Sequence, residues 1–172
     1  MSLESPAARA PRAGGTPRLA LAVIAASALM AVLDGSIVTV AMPAIQSRLG
    51  FSPAGLSWVV NSYQLAFGGL LLLAGRLGDL LGRKRVFLSG LVVFTVASVL
   101  CGAAPSQGLL IAARFIQGIG AAMQASVILA IIVTEFPQPH DRARAMSAYV
   151  FTAVAGGSLG LLAGGVLTEA LS

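Results

Sequence analysis

Five stretches of the chain are almost without interruption apolar: Leu19 to Ala41, Leu56 to Ala74, Val86 to Ala104, Gly108 to Thr134 and Met146 to Leu167. Each approaches or exceeds the about 20 residues with which an α-helix crosses the hydrocarbon core of a bilayer. The polar residues gather between these stretches, and no stretch shows the period-two alternation of a lipid-facing strand. Lipid offers the backbone no hydrogen-bond partners, so a span must satisfy its own N–H and C=O groups, as a helix does. The pattern predicts an all-α membrane protein with five transmembrane helices over residues 19–172. Residues 1–18, rich in Ala, Pro, Gly and Arg, carry no such run and read as a disordered cytoplasmic tail.

Composition agrees: 57% of residues are hydrophobic and only 10% charged, with a mean hydropathy of +0.91, too apolar for the surface of a water-soluble domain of this length. The few charges are unevenly placed. Arg9, Arg12 and Arg18 precede the first span, Arg76, Arg83, Lys84 and Arg85 join the second to the third, and Arg142 and Arg144 join the fourth to the fifth, against Arg48 alone on the other side. By the positive-inside rule the N-terminus is cytoplasmic. The formal net charge of +5 then reports topology, and a nucleic-acid partner is not expected, because the basic residues sit in short loops beside spans. A cleaved signal peptide would fit the arginines and Ala26-Ser27-Ala28, but the apolar run continues past that site and further spans follow. Cys101 is the one cysteine, so no disulfide framework is expected.

Two ionisable residues, Asp34 and Arg114, fall within spans, where charge costs several kcal/mol unless it faces a polar interior. Asp34 lies about 22 Å along its helix from Leu19, and Arg114 about 9 Å from Gly108 on a helix of opposite direction, so the two share a depth in the outer half of a core about 30 Å thick. Beside Asp34, Gly35 leaves room for a backbone or a substrate to approach. One reading is a structural ion pair that fastens the bundle. The other is a proton-coupling site, since an arginine moving toward or away from a carboxylate changes its proton affinity.

Gly75-Arg76-Leu77-Gly78-Asp79-Leu80-Leu81-Gly82-Arg83-Lys84-Arg85 reads as a charged, glycine-spaced loop between the second and third spans. In the fifth span Gly156, Gly160 and Gly164 recur every four residues as a smooth ridge for close helix packing, and Gly165 extends it.

These motifs resemble, in order and spacing, those of the N-terminal part of a major facilitator superfamily transporter, in the drug:proton antiporter branch with fourteen helices. Leu33-Asp34-Gly35-Ser36-Ile37-Val38-Thr39-Val40-Ala41-Met42-Pro43 is similar to that branch's first-helix motif, and Gly75, Asp79, Gly82, Arg83 and Lys84 match the superfamily's motif between helices two and three. Arg114-Phe115-Ile116-Gln117-Gly118-Ile119-Gly120 resembles the fourth-helix motif, whose arginine the family associates with proton transfer. The antiporter motif of helix five is similar to Gly160-Leu161-Leu162-Ala163-Gly164-Gly165, with Leu161 where the family has proline, so a kink due to that proline is not implied. The resemblance implies export of small amphipathic or apolar molecules in exchange for protons, with Asp34 and Arg114 as coupling pair and the Gly75–Lys84 motif as a latch of the gate.

The family builds its cavity between two six-helix halves that rock about a central site. Five helices cannot form it, and the chain reads as an N-terminal fragment whose transport needs the missing helices or self-association. Asn61, Tyr63 and Gln64 on helix two, and Gln117 and Gln124 on helix four, are candidate cavity-lining residues, and Trp58 an interfacial anchor. Glu135 and Asp141 are expected to pair with Arg142 or Arg144, and His140 to be solvated. No cofactor is implied, and neither a phosphate-binding loop, a Cys/His metal spacing nor a nucleophile constellation marks an enzyme. Two alternatives stay open: a small membrane protein that assembles with or regulates another, and a facilitator not coupled to protons.

Overall fold

The computed structural model describes residues 16–171, with side chains described except at 16–17, 163–164 and 167–171. The segment expected to be a tail therefore lies almost wholly outside the described residues, and so does the packing of Gly164. Five helices follow in order: α1 (Thr16–Leu49), α2 (Pro53–Leu81), α3 (Arg83–Gly102), α4 (Gln107–Glu135) and α5 (Pro139–Leu171). All five are long and apolar enough to span a membrane.

Local chemistry fixes the ends. Gly50, at φ +68°, closes α1 in the left-handed region that glycine enters at little cost. Ser52 caps α2 by accepting from the Gly55 N–H at 3.0 Å, and Pro53 occupies the first turn, where its missing N–H leaves no bond unmade. Ser106 caps α4 in the same way through Leu109 N–H. The first span expected to end near Ala41 instead runs to Leu49 with Pro43 inside it. That proline gives up one ladder bond at an exposed position.

The Gly75–Arg85 segment corrects a second expectation, because it is not a loop. Helix α2 continues through Leu81, the chain turns at the single residue Gly82 with φ +97°, and α3 starts at Arg83. Gly78 stays helical because it packs: a Cβ there would stand 2.5 Å from Cγ1 of Val127.

Helix α4 is the centre of the bundle and buries residues from Leu110 to Ile132. It packs chiefly on α2 and α3, while α1 packs chiefly on α5. Successive helix positions turn by about 100°, so Gly118 and Gly120 face opposite sides of α4. A Cβ on Gly118 would run into the carbonyl of Tyr63 on α2, and one on Gly120 would stand 2.6 Å from the backbone N of Phe94 on α3. Both helices thus touch α4 at backbone distance. The second contact is reciprocated by Gly90, where a Cβ would lie 2.8 Å from the Gly120 carbonyl.

Gly156 and Gly160 of α5 press on Leu29 and on Ser36 of α1, each 2.7 Å from an added Cβ, which sets these two helices parallel. The ridge expected to extend through Gly165 meets nothing within 4 Å at that residue. Gly165 stands one position beyond the every-four register and so points about 100° away from the seam. The architecture is therefore two tight groups, α2–α3–α4 and α1–α5, that meet where α1 reaches α4.

Candidate functional site

The side chain of Asp34 leaves α1 at that meeting place, and both its oxygens find partners on α4. Arg114 Nη1 donates to Oδ2 at 2.5 Å and Gln117 Nε2 donates to Oδ1 at 2.7 Å. The ring closes because Arg114 Nη1 also donates to Gln117 Oε1 at 2.7 Å. Spacing explains the pair on α4: residues three apart share a helix face, so Arg114 and Gln117 reach the same point.

Arg114 has further partners on α2. Its Nε donates to the Val59 carbonyl at 3.2 Å, and its guanidinium lies 4.5 Å from the centre of the Tyr63 ring, a cation–π distance. Gln117 reaches α3, where Nε2 donates to Ser98 Oγ at 3.3 Å and the Cys101 thiol lies 3.6 Å from Oε1. Four helices therefore converge on one ion pair. The side chains of Arg114 and Asp34 are 4% and 13% exposed, so their attraction acts with little screening by water. A cleft of about 670 Å³, walled chiefly by α1, borders this cluster, and Asp34, Ser98, Cys101 and Arg114 line it with Leu33 and Ile37.

The candidate cavity-lining residues scatter. Gln117 is 0% exposed and belongs to the ion-pair ring instead of lining this cleft. Gln124 is buried, donates to the carbonyls of Gly90 and Gly120, and borders a smaller cavity of about 230 Å³ together with Tyr63 and Phe67. Asn61 and Gln64 lie on the exposed side of α2 and line neither cavity. Trp58, half exposed, lies near Phe115 and Ile116 along a groove between α2 and α4.

A second set of charges gathers around Gly82. Asp79 of α2 and Arg83 of α3 pair at 3.5 Å across the break at Gly82, Arg83 also donates to Thr134 Oγ1 at 3.3 Å, and Lys84 pairs with Glu135 at 2.7 Å. This overturns the expected pairing of Glu135 with Arg142 or Arg144. The last turn of α4 lies beside the first turn of α3, so Lys84 reaches Glu135 first. Arg142 instead donates to the carbonyls of Phe136 and Pro137 at 3.3 Å, holding the turn into α5. Asp141 forms no ion pair among the described residues, and His140 is exposed.

Reasoning from the sequence missed Gln117 as the third member of the ring, although its position three residues after Arg114 was a usable signal. The Val59 carbonyl carried no signal, since only packing brings it to Arg114.

Comparison with known proteins completes the picture. The family model described as Major Facilitator Superfamily matches residues 24–172. A puromycin resistance protein of Streptomyces alboniger is 48% identical over 151 residues, which are 88% of this chain and 30% of that protein. A cephamycin export protein of Amycolatopsis lactamdurans is 48% identical over 157 residues, covering 91% of this chain and 32% of that protein. A methylenomycin A resistance protein of Bacillus subtilis is 40% identical over 149 residues, covering 87% of this chain and 32% of that protein. The chain thus spans about a third of the length of these relatives.

Proposed function

The chain belongs to the major facilitator superfamily, and from that premise we propose that it is the proton-coupling part of an efflux antiporter that exchanges small amphipathic molecules for protons. The resistance and export named for its relatives support efflux of compounds of the antibiotic kind. The observation that carries the coupling is the buried ring of Asp34, Arg114 and Gln117.

The geometry suggests how a proton acts. Both partners of Asp34 are on α4, whereas the remaining partners of Arg114 are on α2 and α4 and those of Gln117 on α3 and α4. Protonating Asp34 removes the charge that ties α1 to α4 and leaves Arg114 held by Val59, Tyr63 and Gln117. The α1–α5 pair is then free to move against the α2–α3–α4 block, and loss of the proton draws it back. A transition of this kind biases the two-state equilibrium that alternating access uses.

The charges around Gly82 fit a latch at the cytoplasmic side, with Asp79, Arg83 and Lys84 joined by Glu135. In this reading the protein is multi-pass in the plasma membrane with its N-terminus inside, and the helices that complete the central cavity come from the rest of the gene product or from a second chain.

Everted membrane vesicles bearing the complete gene product test the proposal with ethidium as transported probe. Uptake into the vesicles is expected to depend on an imposed pH gradient and to disappear in Asp34→Asn at unchanged membrane abundance. Uptake that persists after the gradient is collapsed identifies an uncoupled facilitator instead. Absence of any uptake in the wild type favours the assembly or regulatory role.

A further inference from the structure

Gln117 is the most completely enclosed polar side chain of the bundle, at 0% exposure, and every polar atom of its amide is used. Oε1 accepts from Arg114 and lies beside the Cys101 thiol, while Nε2 donates to Asp34 and to Ser98. Chemistry fixes which way the amide points. A guanidinium only donates and a carboxylate only accepts, so the oxygen must face Arg114 and the nitrogen must face Asp34. No other side chain in the cluster presents an acceptor to one and a donor to the other.

We infer that Gln117 is a positioning residue for proton coupling: its amide locks Asp34 and Arg114 into one ring and sets the pH at which Asp34 takes up its proton. This rests on the reading of Asp34 and Arg114 as the coupling pair. Gln117 donates to a charged oxygen, and a hydrogen bond to one protonation state is a contribution to the equilibrium between the two. After protonation it still holds Arg114 through Oε1 and α3 through Ser98, so it keeps the cation in place for the return of Asp34.

The groups around Asp34 are few. Arg114 faces it from α4, Tyr63 of α2 lies against that guanidinium, the Cys101 thiol of α3 lies against the Gln117 amide, and Cys101 and Arg48 line the same cleft as Asp34. At this level α5 brings Gly156 and Gly160 against α1, neither of which titrates. Removing the Gln117 amide therefore withdraws a donor from Asp34 and an acceptor from Arg114 while leaving every charge of the cluster in place.

Infrared difference spectroscopy of the purified gene product reads the titration of the Asp34 carboxyl directly, the band being assigned by its loss in Asp34→Asn. Gln117→Leu is expected to displace the midpoint by about one pH unit, the size of a hydrogen bond to a charged group. Gln124→Leu is the control, because that buried glutamine of the same helix bonds only to backbone carbonyls; its midpoint should match the wild type. Where Gln117→Leu does not accumulate, Gln117→Glu serves, since it keeps the shape and replaces the donor facing Asp34 by a second carboxyl. A midpoint unmoved in these variants, or moved equally by Gln124→Leu, overturns the inference. Coupled ethidium uptake that survives Asp34→Asn overturns the coupling reading, and this role with it. Coupling lost in Asp34→Asn with an unmoved Gln117→Leu midpoint overturns the role of Gln117 alone.

Discussion

The molecule holds two short ion pairs in surroundings that differ in almost every other respect. Asp34–Arg114 measures 2.5 Å and Lys84–Glu135 measures 2.7 Å, yet the side chains are 4% and 13% exposed in the first (Arg114 and Asp34) and 70% and 18% in the second (Lys84 and Glu135). Distance alone would rank them nearly equal. Water decides otherwise, because the Lys84 ammonium is solvated whether or not it is paired, and Arg114 is not. The inner pair must therefore be satisfied throughout, which is why Val59, Tyr63 and Gln117 surround it. The outer pair forms and parts at small cost.

The strongest way to break this contrast is to remove one inner charge. Arg114→Ala leaves a carboxylate buried without its cation and is expected to lower stability by roughly 3–5 kcal/mol. Denaturant titration of the purified protein in micelles measures it. Adding Asp34→Asn should recover a large part of the loss, since the two residues are in contact and their effects do not add. An equal loss in the single and double variants would mean that lost packing, and not the unpaired charge, dominates.

The next effect comes from the close approach that produces the burial. Gly120→Val drives a side chain into the backbone of Phe94, which cannot swing aside, and a cost of roughly 1–3 kcal/mol is expected in the same titration. Gly165→Val, with open space at its Cβ position, should leave the midpoint unchanged. A similar loss at both sites would show that helix propensity and not helix contact governs these glycines.

How far the sequence told the two regions apart can be traced residue by residue. The five helices were legible because lipid demands long apolar runs, and no tertiary detail alters that demand. Asp34 and Arg114 stood out for the same reason, as charges where charge is costly. Their shared depth followed from helix rise alone, whereas the Val59 carbonyl reaches Arg114, and the Cys101 thiol reaches Gln117, only through the packing of α2 and α3 on α4. Gln117 was seen as polar but assigned to the cavity, because composition does not reveal which way a helix face turns. The Gly75–Arg85 segment was misread as a loop, since glycine and charge signal a turn in water-soluble chains. Here Gly78 serves contact with Val127, and Gly82 alone makes the break.

The smallest effect sharpens the contrast from the other side. Lys84→Ala removes a pair nearly as short as the inner one, yet its expected cost is only about 0–1 kcal/mol, because an exposed ion pair gains little over two hydrated ions. Salt supplies the discriminating measurement. The screening length falls from about 10 Å at 0.1 M to about 3 Å at 1 M, so the difference between wild type and Lys84→Ala should shrink toward zero across that range. The loss caused by Arg114→Ala should persist, since mobile ions do not enter the ring. If instead the Lys84 difference resists salt, Glu135 is the reason: at 18% exposure it is the half of this pair that water reaches least, and an unpaired Glu135 would then behave as a milder version of an unpaired Asp34.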